Sequence, residues 1–334
     1  NGTNTATNPE IPAESGKKPT LPTRLYSTDF LLSLDATQVR AVAVLKNDHT
    51  VKSSVQLINL EQCGTPNPSE DDFHDAQGSL TIPKVKVGTV GEGDDEHDVY
   101  ADIYYTIDGT DPALVETTHH GVEPEIAFRY NTRSKVWAVA AKNGMRKSEP
   151  YKMDVVYMPT ITLEHESYTY SATITDSKIV SQAIEPVITK VQVEGEEPIA
   201  ASYYHVKDYR DNTEAGTGKI IIKATPEAPI KLYGIGNFVI NKAPISSITV
   251  TPDPAEFTYN YRAQGPEITS IKATGGNGDI ELLGFDAYYT VTDNLQVSAG
   301  EYTLRVEAKE GTNFTGYVEK PFTIKSKSLN SDDI

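Results

Sequence analysis

The sequence predicts an all-β chain built from tandem sandwich modules, on three observations. Apolar residues come in runs of strand length bounded by Gly, Pro, Asn and Asp. No stretch of ten or more residues carries the 3.6-residue period of an amphipathic helix. Landmarks recur along the chain at module-sized spacing. Composition agrees: 19 Tyr against 3 Met in 334 residues, with abundant Thr, Val and Ile, suits pleated, half-buried surfaces. The 23 Gly and 20 Pro are scattered as turn residues rather than gathered in a low-complexity tract. A chain of this length is expected to hold roughly two to four domains.

Taken in order, Phe30–Leu34, Val39–Leu45 and Val51–Leu60 each have strand length, and Lys46-Asn-Asp-His-Thr50 reads as the hairpin turn between the last two. Residues 64–79 are polar and acidic and read as a linker or long loop. Alternation resumes at Leu80–Val87, and an acidic loop at 91–98 leads into Ile103-Tyr-Tyr-Thr-Ile-Asp-Gly-Thr-Asp-Pro112. There Ile103, Tyr105 and Ile107 share one strand face, with Tyr104 and Thr106 on the other. Asp108-Gly109 is a turn pair, Gly supplying positive φ and the Asp carboxylate capping backbone amides. Pro112 stops the ladder. Val136–Ala141 alternates again, Asn143-Gly144 marks a hairpin, and Ser148–Tyr157 reads as the returning strand.

The pair Ile103–Pro112 and Val136-Trp-Ala-Val-Ala-Ala-Lys-Asn-Gly-Met-Arg-Lys-Ser148 resembles the chitobiase/β-hexosaminidase C-terminal domain family over about residues 80–158. The resemblance implies an immunoglobulin-like β-sandwich, an accessory module of secreted glycosidases and bacterial surface proteins with no catalytic residue to carry over. Asn1-Gly-Thr-Asn-Thr and Val39–Asn47 echo the same two segments, with a loop insertion within Glu10–Thr23, and read as a partial copy.

A second repeat fills the rest. Ser167–Tyr170 answers Glu256–Tyr259, Ser202–Val206 answers Ala287–Val291, Glu214–Ala224 answers Ser298–Ala308, and Asn237–Lys242 answers Lys320–Lys325. The pattern resembles the Ig-like repeats of bacterial surface proteins, frequent in Bacteroidetes. The expected domains are 1–62, a partial module; 64–158, the chitobiase C-terminal-like module; 159–243 and 244–327, two repeats; and 328–334, the start of a further unit or tail. Pro-containing joints at Tyr157–Thr160 and Lys242–Ile245 predict a semi-rigid, elongated rod.

The formal charge of -17 argues against a nucleic-acid partner. Cys63 is the only cysteine, so neither an intrachain disulfide nor a multi-thiolate metal site can form, and it reads as a loop residue. No apolar run reaches the roughly 20 residues of a membrane-spanning helix. The polar opening at Asn1 is no leader, so either a targeting segment has been removed or the sequence is a piece of something longer.

Candidate chemistry is thin. Asp94-Asp-Glu-His-Asp98 could take Ca²⁺ but lacks EF-hand spacing, and a solvated loop is expected. Asp108 and Asp111 could be a glycosidase pair, yet turn capping accounts for Asp108. His119-His120 would point to opposite faces of a strand, so exposed loop histidines are expected. Gly275-Gly-Asn-Gly-Asp279 lacks the helix and Lys of a phosphate loop and reads as a flexible turn. Asn313-Phe-Thr315 is a glycosylation sequon, silent in a bacterial source.

The doublets Tyr104-Tyr105, Tyr203-Tyr204 and Tyr288-Tyr289 recur in place and read chiefly as packing. The candidate glycan contacts are Trp137, Tyr104, Tyr204 and Tyr289; no catalytic, cofactor or metal residue is assigned. The expectation is a non-enzymatic cell-surface or secreted segment that spaces or presents an adhesive part, its partner unknown and a glycan or surface protein the candidates. The alternatives are a carbohydrate-binding accessory region of a polysaccharide-degrading enzyme and a surface-fibre subunit completed by strand exchange.

Overall fold

The computed structural model describes residues 38–45, 48–69, 72–74, 77–114 and 118–328. The expected Phe30–Leu34 strand, the Asn1-Gly-Thr turn, the Glu10–Thr23 insertion and the segment from Leu329 lie outside the described residues. Where it is described, the chain is all-β, its only helical pieces being 3₁₀ turns at Gly93–Asp95 and Ala201–Tyr203. It divides into two compact units: residues 1–159 with 193–195 and 224–233, and the remainder from Thr160 onward.

The first unit is built on the strand Thr132–Ala141. It pairs antiparallel with Asp102–Thr106 on one side and Tyr151–Tyr157 on the other. His119–Gly121 extends the sheet beyond Asp102–Thr106, and Ile230–Tyr233 runs parallel to Tyr151–Tyr157. Alternation puts Val136, Ala138 and Ala140 on one face with Ile103, all fully buried. The other face buries Tyr104, Val139 and Ala141 under Leu114.

Several expected elements differ. The run Val39–Leu45 is split into Gln38–Ala41, paired with Gln56–Asn59, and Val44–Leu45, paired with Asp48–Lys52. The break has a local cause: Ala43 N donates to Ser53 Oγ at 3.0 Å and Ser53 N donates to Ala43 O at 2.9 Å, shifting the register between the two ladders. Of the two readings of residues 64–79, the described part fits a packed long loop ending in a short strand pair rather than a linker. Pro66, Pro68 and Phe73 are buried there, and Phe73–His74 pairs with Ser79–Thr81. Prolines pack without donating to a ladder, so the segment carries no alternation to read. Leu80–Val87 is interrupted around Pro83, strand resuming at Lys86–Val90.

The second unit holds most of the residues of the two expected repeats, and their strand pairings correspond. In the first, Thr160–Leu163 pairs with Ile188–Gln192, and Ser167–Thr169 runs parallel to Val239–Asn241, with Tyr168 opposite Ile240. In the second, Ala243–Thr251 pairs with Glu267–Gly275, and Glu256–Thr258 runs parallel to Thr323–Lys325, with Phe257 opposite Ile324. Tyr317–Lys325 then pairs with Gly300–Ala308, and that strand with Tyr289–Thr292.

The two repeats share one core cluster, while the second also has a cluster of its own around Val250, Leu304 and Phe322. One cluster joins Leu163, Tyr170, Ile220, Phe238 and Ile240 of the first to Ile245, Ile271, Ile280, Tyr289 and Phe314 of the second. At the seam the Tyr170 and Phe314 rings meet edge to face, centroids 5.6 Å apart, and Ala243–Pro244 pairs in parallel with Phe314–Thr315. The Gly275–Asp279 segment, expected to be a flexible turn, is a hairpin tip fixed against the preceding repeat. Gly276 N donates to Tyr170 O at 3.1 Å, and Asn277 N to Ser171 Oγ at 2.8 Å. A Cβ on Gly276 would sit 2.6 Å from Thr169 O, so only glycine fits. Asn313 is likewise engaged, its Nδ2 donating to Glu214 and its Oδ1 accepting from Ala215 N.

Two outcomes follow for stability. Phe314→Ala is expected to cost about 3–5 kcal/mol and to unfold both repeats in a single transition, read by denaturant melts; two separated transitions would contradict the shared core. Tyr151 has a buried hydroxyl with no hydrogen-bond partner among the described residues, and burial, reinforced by the charge of Asp72, pushes it up to about 12. The folded chain therefore holds this proton where the unfolded chain has released it. The group's contribution is full below about pH 10 and declines as pH rises toward 12. Tyr151→Phe should match or exceed the parent's stability at neutral pH, by up to about 1–3 kcal/mol, and flatten the alkaline decline in melts run as a pH series.

Candidate functional site

The residues best placed to meet a ligand lie in the first unit, where the Trp137 face of the sheet opens. The hairpin that follows starts as expected: Met145 N donates to Lys142 O at 3.1 Å, with Gly144 at φ 83. It then departs from a simple return, because Arg146 leaves the ladder to bridge Gln62. Arg146 N donates to Glu61 O at 2.7 Å and Cys63 N to Arg146 O at 2.9 Å. Ser148 anchors the return, its buried Oγ accepting from Ala140 N at 2.9 Å. The strand rejoins with Lys152, rather than Pro150, opposite Trp137.

The result is an open groove of about 370 Å³. Its floor is Trp137 and Val139; Arg146, Lys147 and Lys152 supply cations, and Asp111 and Glu149 supply carboxylates. The Lys152 ammonium lies 3.6 Å from the Trp137 ring centroid, a cation–π contact of about 0.5–1 kcal/mol at such an exposed place. Lys147 pairs with Asp111 at 3.7 Å. Gln62 Nε2 donates to Lys147 O at 3.1 Å and to Glu149 Oε1 at 3.2 Å, tying the rim together. No side-chain partner holds the Arg146 guanidinium among the described residues. The half-exposed indole is covered on one face by Lys152, and the cations beside it could meet a negatively charged group.

The other expected glycan contacts fare differently. Tyr104 is 7% exposed, packed on Val139 and Ala141 with His120 stacked at 5.0 Å, so its ring offers no face to a sugar. Tyr289 is 6% exposed inside the second unit, its hydroxyl donating to Asp286 at 2.8 Å. Both are buried because alternation turns them toward packed layers. Tyr204 is half-exposed at the start of the strand Tyr204–Arg210 and stands apart from the groove's lining. Lys152, Lys147 and Arg146 were missed as groove residues; the Met-Arg-Lys-Ser run was visible, but its position opposite Trp137 depends on the detour through Gln62.

The remaining candidates resolve as structure. Asp108 Oδ1 accepts from Thr110 N at 3.0 Å and from Thr110 Oγ1 at 2.6 Å, and these bonds hold its carboxyl below the usual range. Asp108 is thus spent on the turn, while Asp111 faces Lys147. The acidic run ends in the strand His97–Tyr100 rather than staying loop throughout, and there Asp98 is bound to Lys86 at 2.5 Å and accepts from the Tyr100 hydroxyl at 3.1 Å, which lowers its pKa. No group of three or more His, Cys, Asp or Glu suited to a metal ion occurs among the described residues. His119 and His120 sit in an edge strand rather than a loop, stacked on Tyr105 and Tyr104 respectively. Cys63 lies outside the strands but is buried, which pushes its thiol pKa up.

No family model and no curated protein matches the chain. Solved structures with partial overlap include Drosophila N-cadherin EC1-4, at 13% identity over 81% of this chain and 75% of that one, TM-score 0.20. Protocadherin gamma B2 extracellular cadherin domains 3-6 overlap at 9% identity over 88% and 79%, TM-score 0.18. A structure described by host cell surface retention of a 1.5-MDa bacterial ice-binding adhesin overlaps at 8% identity over 80% and 99%, TM-score 0.16.

The turn that borders the groove can be tested directly. Gly109 has φ +83, and a Cβ there would lie 3.1 Å from the Lys135 side chain. Gly109→Ala is expected to cost about 1–2 kcal/mol in denaturant melts while leaving the fluorescence maximum of the single Trp137 unchanged.

Proposed function

We propose that this chain is a non-catalytic segment of a cell-surface or secreted protein, whose tandem Ig-like modules hold an adhesive or binding part at a set distance and orientation. The seam of the second unit supports this reading best. Tyr170 and Phe314 share a core there, and Asn277 and Asn313 each bond across to the preceding repeat. A seam closed by apolar contact and hydrogen bonds resists bending, which is what a spacer requires of its joints. The resemblance of residues 80–158 to the chitobiase/β-hexosaminidase C-terminal family and of residues 160–325 to bacterial surface repeats fits the same setting. The rod-like form and the four-module division belong to this proposal.

A second reading has its own observation. The Trp137 groove, with more cations than carboxylates in a chain of net charge -17, favours glycan contact, specifically with saccharides that carry carboxylate or sulfate groups. It would make the chain a carbohydrate-binding accessory region.

Two measurements separate these readings. With spin labels at the exposed positions Lys190 and Thr303, the distance distribution should be narrow in the parent and broaden in Phe314→Ala; a broad distribution in the parent would make the seam a hinge and sink the spacer reading. Because Trp137 is the only tryptophan, its fluorescence reports the groove without a label. Acidic oligosaccharides should shift it in the parent, an effect lost in Lys152→Ala and weakened by salt. No shift across a panel of acidic and neutral glycans would remove the carbohydrate reading, and hydrolysis of any glycoside by the chain would overturn the non-catalytic one.

A further inference from the structure

The far end of residues 244–327, the fourth module and second repeat, presents a counterpart to part of the surface by which residues 159–243, the third module and first repeat, seat it. On the third module that surface comprises Tyr170, Ser171 and the Glu214–Ala215 turn. Tyr170 N donates to Asn241 O, at the point where the chain leaves for the next repeat. The fourth module repeats part of the arrangement: Tyr259 N donates to Lys325 O at 2.9 Å, and Ser298–Ala299 stands where Glu214–Ala215 stood.

The two ends differ in cover. Tyr170 is 2% exposed and sealed by Phe314, whereas Tyr259 is half-exposed. Beside it Tyr261 is 68% exposed, and on the loop that Gln264 bridges, Leu295 is 57% and Val297 52% exposed. These three do not sit on loose loops. Gln264 and Gln296 exchange backbone hydrogen bonds at 2.8 and 2.9 Å, and Gln264 Nε2 donates to Thr258 O at 3.0 Å. The loops run so close that a Cβ on Gly265 would fall 1.8 Å from Asn294 O. Leu295 and Val297 flank Gln296 on this bridged loop, and the Tyr261 ring is held 4.7 Å from that of Tyr259. Exposed apolar residues held on bridged loops at the place where the preceding repeat seats its neighbour are what a further seam would cover.

We infer that the face formed by Tyr259, Tyr261, Leu295 and Val297 is a docking site for a further Ig-like repeat, seated as the fourth module is seated on the third. The occupant is defined by what fills the third module's face: a glycine-bearing hairpin tip like Gly275–Gly278 and a buried aromatic like Phe314. The polar contacts at the existing seam, from Ser171, Gln182 and Glu214, are replaced here by apolar surface, so seating would rest on burial more than on hydrogen bonds. The inference depends on the internal repeat alone and is independent of what the Trp137 groove binds.

The test appends a copy of residues 242–325 directly after Lys325 of the full chain, which preserves the observed spacing of the joint. Val297→Cys in the original fourth module supplies an exposed thiol, Cys63 being buried. Thiol labelling at that position should slow at least tenfold in the extended chain relative to the unextended one. It should return to the unextended rate when the appended copy carries Gly276→Val, which blocks the hairpin tip. Equal labelling rates with and without the appended copy, while circular dichroism registers its added strand, would overturn the inference. So would protection that survives Gly276→Val, since mere tethering would then explain it. Labelling of the unextended chain that slows with its own concentration would assign the face to contact between copies and overturn it as well.

Discussion

The second unit depends on the edge-to-face contact between Tyr170 and Phe314. Each ring belongs to a different repeat, and both are almost completely withdrawn from solvent, Phe314 lying against Tyr288 as well. Aromatic burial is among the largest single contributions a side chain can make, so placing it at a boundary converts two small sandwiches into one cooperative body. The polar groups around it then have to be satisfied, and they are: Gly276, Asn277, Asn313 and Ala215 each find a partner across the boundary. Side-chain bonds of this kind add little net energy in water but fix the register in which the apolar surfaces meet.

The first unit shows a different use of the same sheet chemistry. Its strand Thr132–Ala141 is buried on both faces toward one end, and at Trp137 the cover stops. Lys152 lies across the indole instead, a cation on an aromatic face in a chain with a large excess of carboxylates. The long-range field of such a chain repels anions, while the local cluster of Arg146, Lys147 and Lys152 attracts them within about a Debye length, near 8 Å in physiological salt. Selectivity at the groove would therefore be short-ranged, favouring ligands already held close by other contacts.

Much of this fold is legible in the residues. The alternation Ile103, Tyr105 against Tyr104, Thr106 identifies the two faces, and Asp108-Gly109-Thr110 announces its turn through the ordinary chemistry of a carboxylate and a residue free to take positive φ. The two repeats are readable because their strand landmarks keep order while only loops vary. What escapes is non-local. Arg146 leaves its hairpin to meet Gln62, and a detour across so much sequence has no periodic signature, so the pairing of Trp137 with Lys152 could not be counted from the turn. Pro66 and Pro68 pack without a ladder and Phe73 sits in a two-residue strand too short to show alternation, so the segment reads as linker or loop. Gly275-Gly-Asn-Gly looks loose for the same reason that it is fixed: small residues let a neighbouring backbone approach, and the sequence does not say which.

The hairpin tip at Gly276 and the surface that receives it lie at opposite ends of a repeat, so the contact is heterologous: the two surfaces that meet are different. A contact of that type has a direction and does not close on itself. Its geometry therefore contains no stop. On the inference drawn above, a repeat can be added by duplication without inventing a new interface.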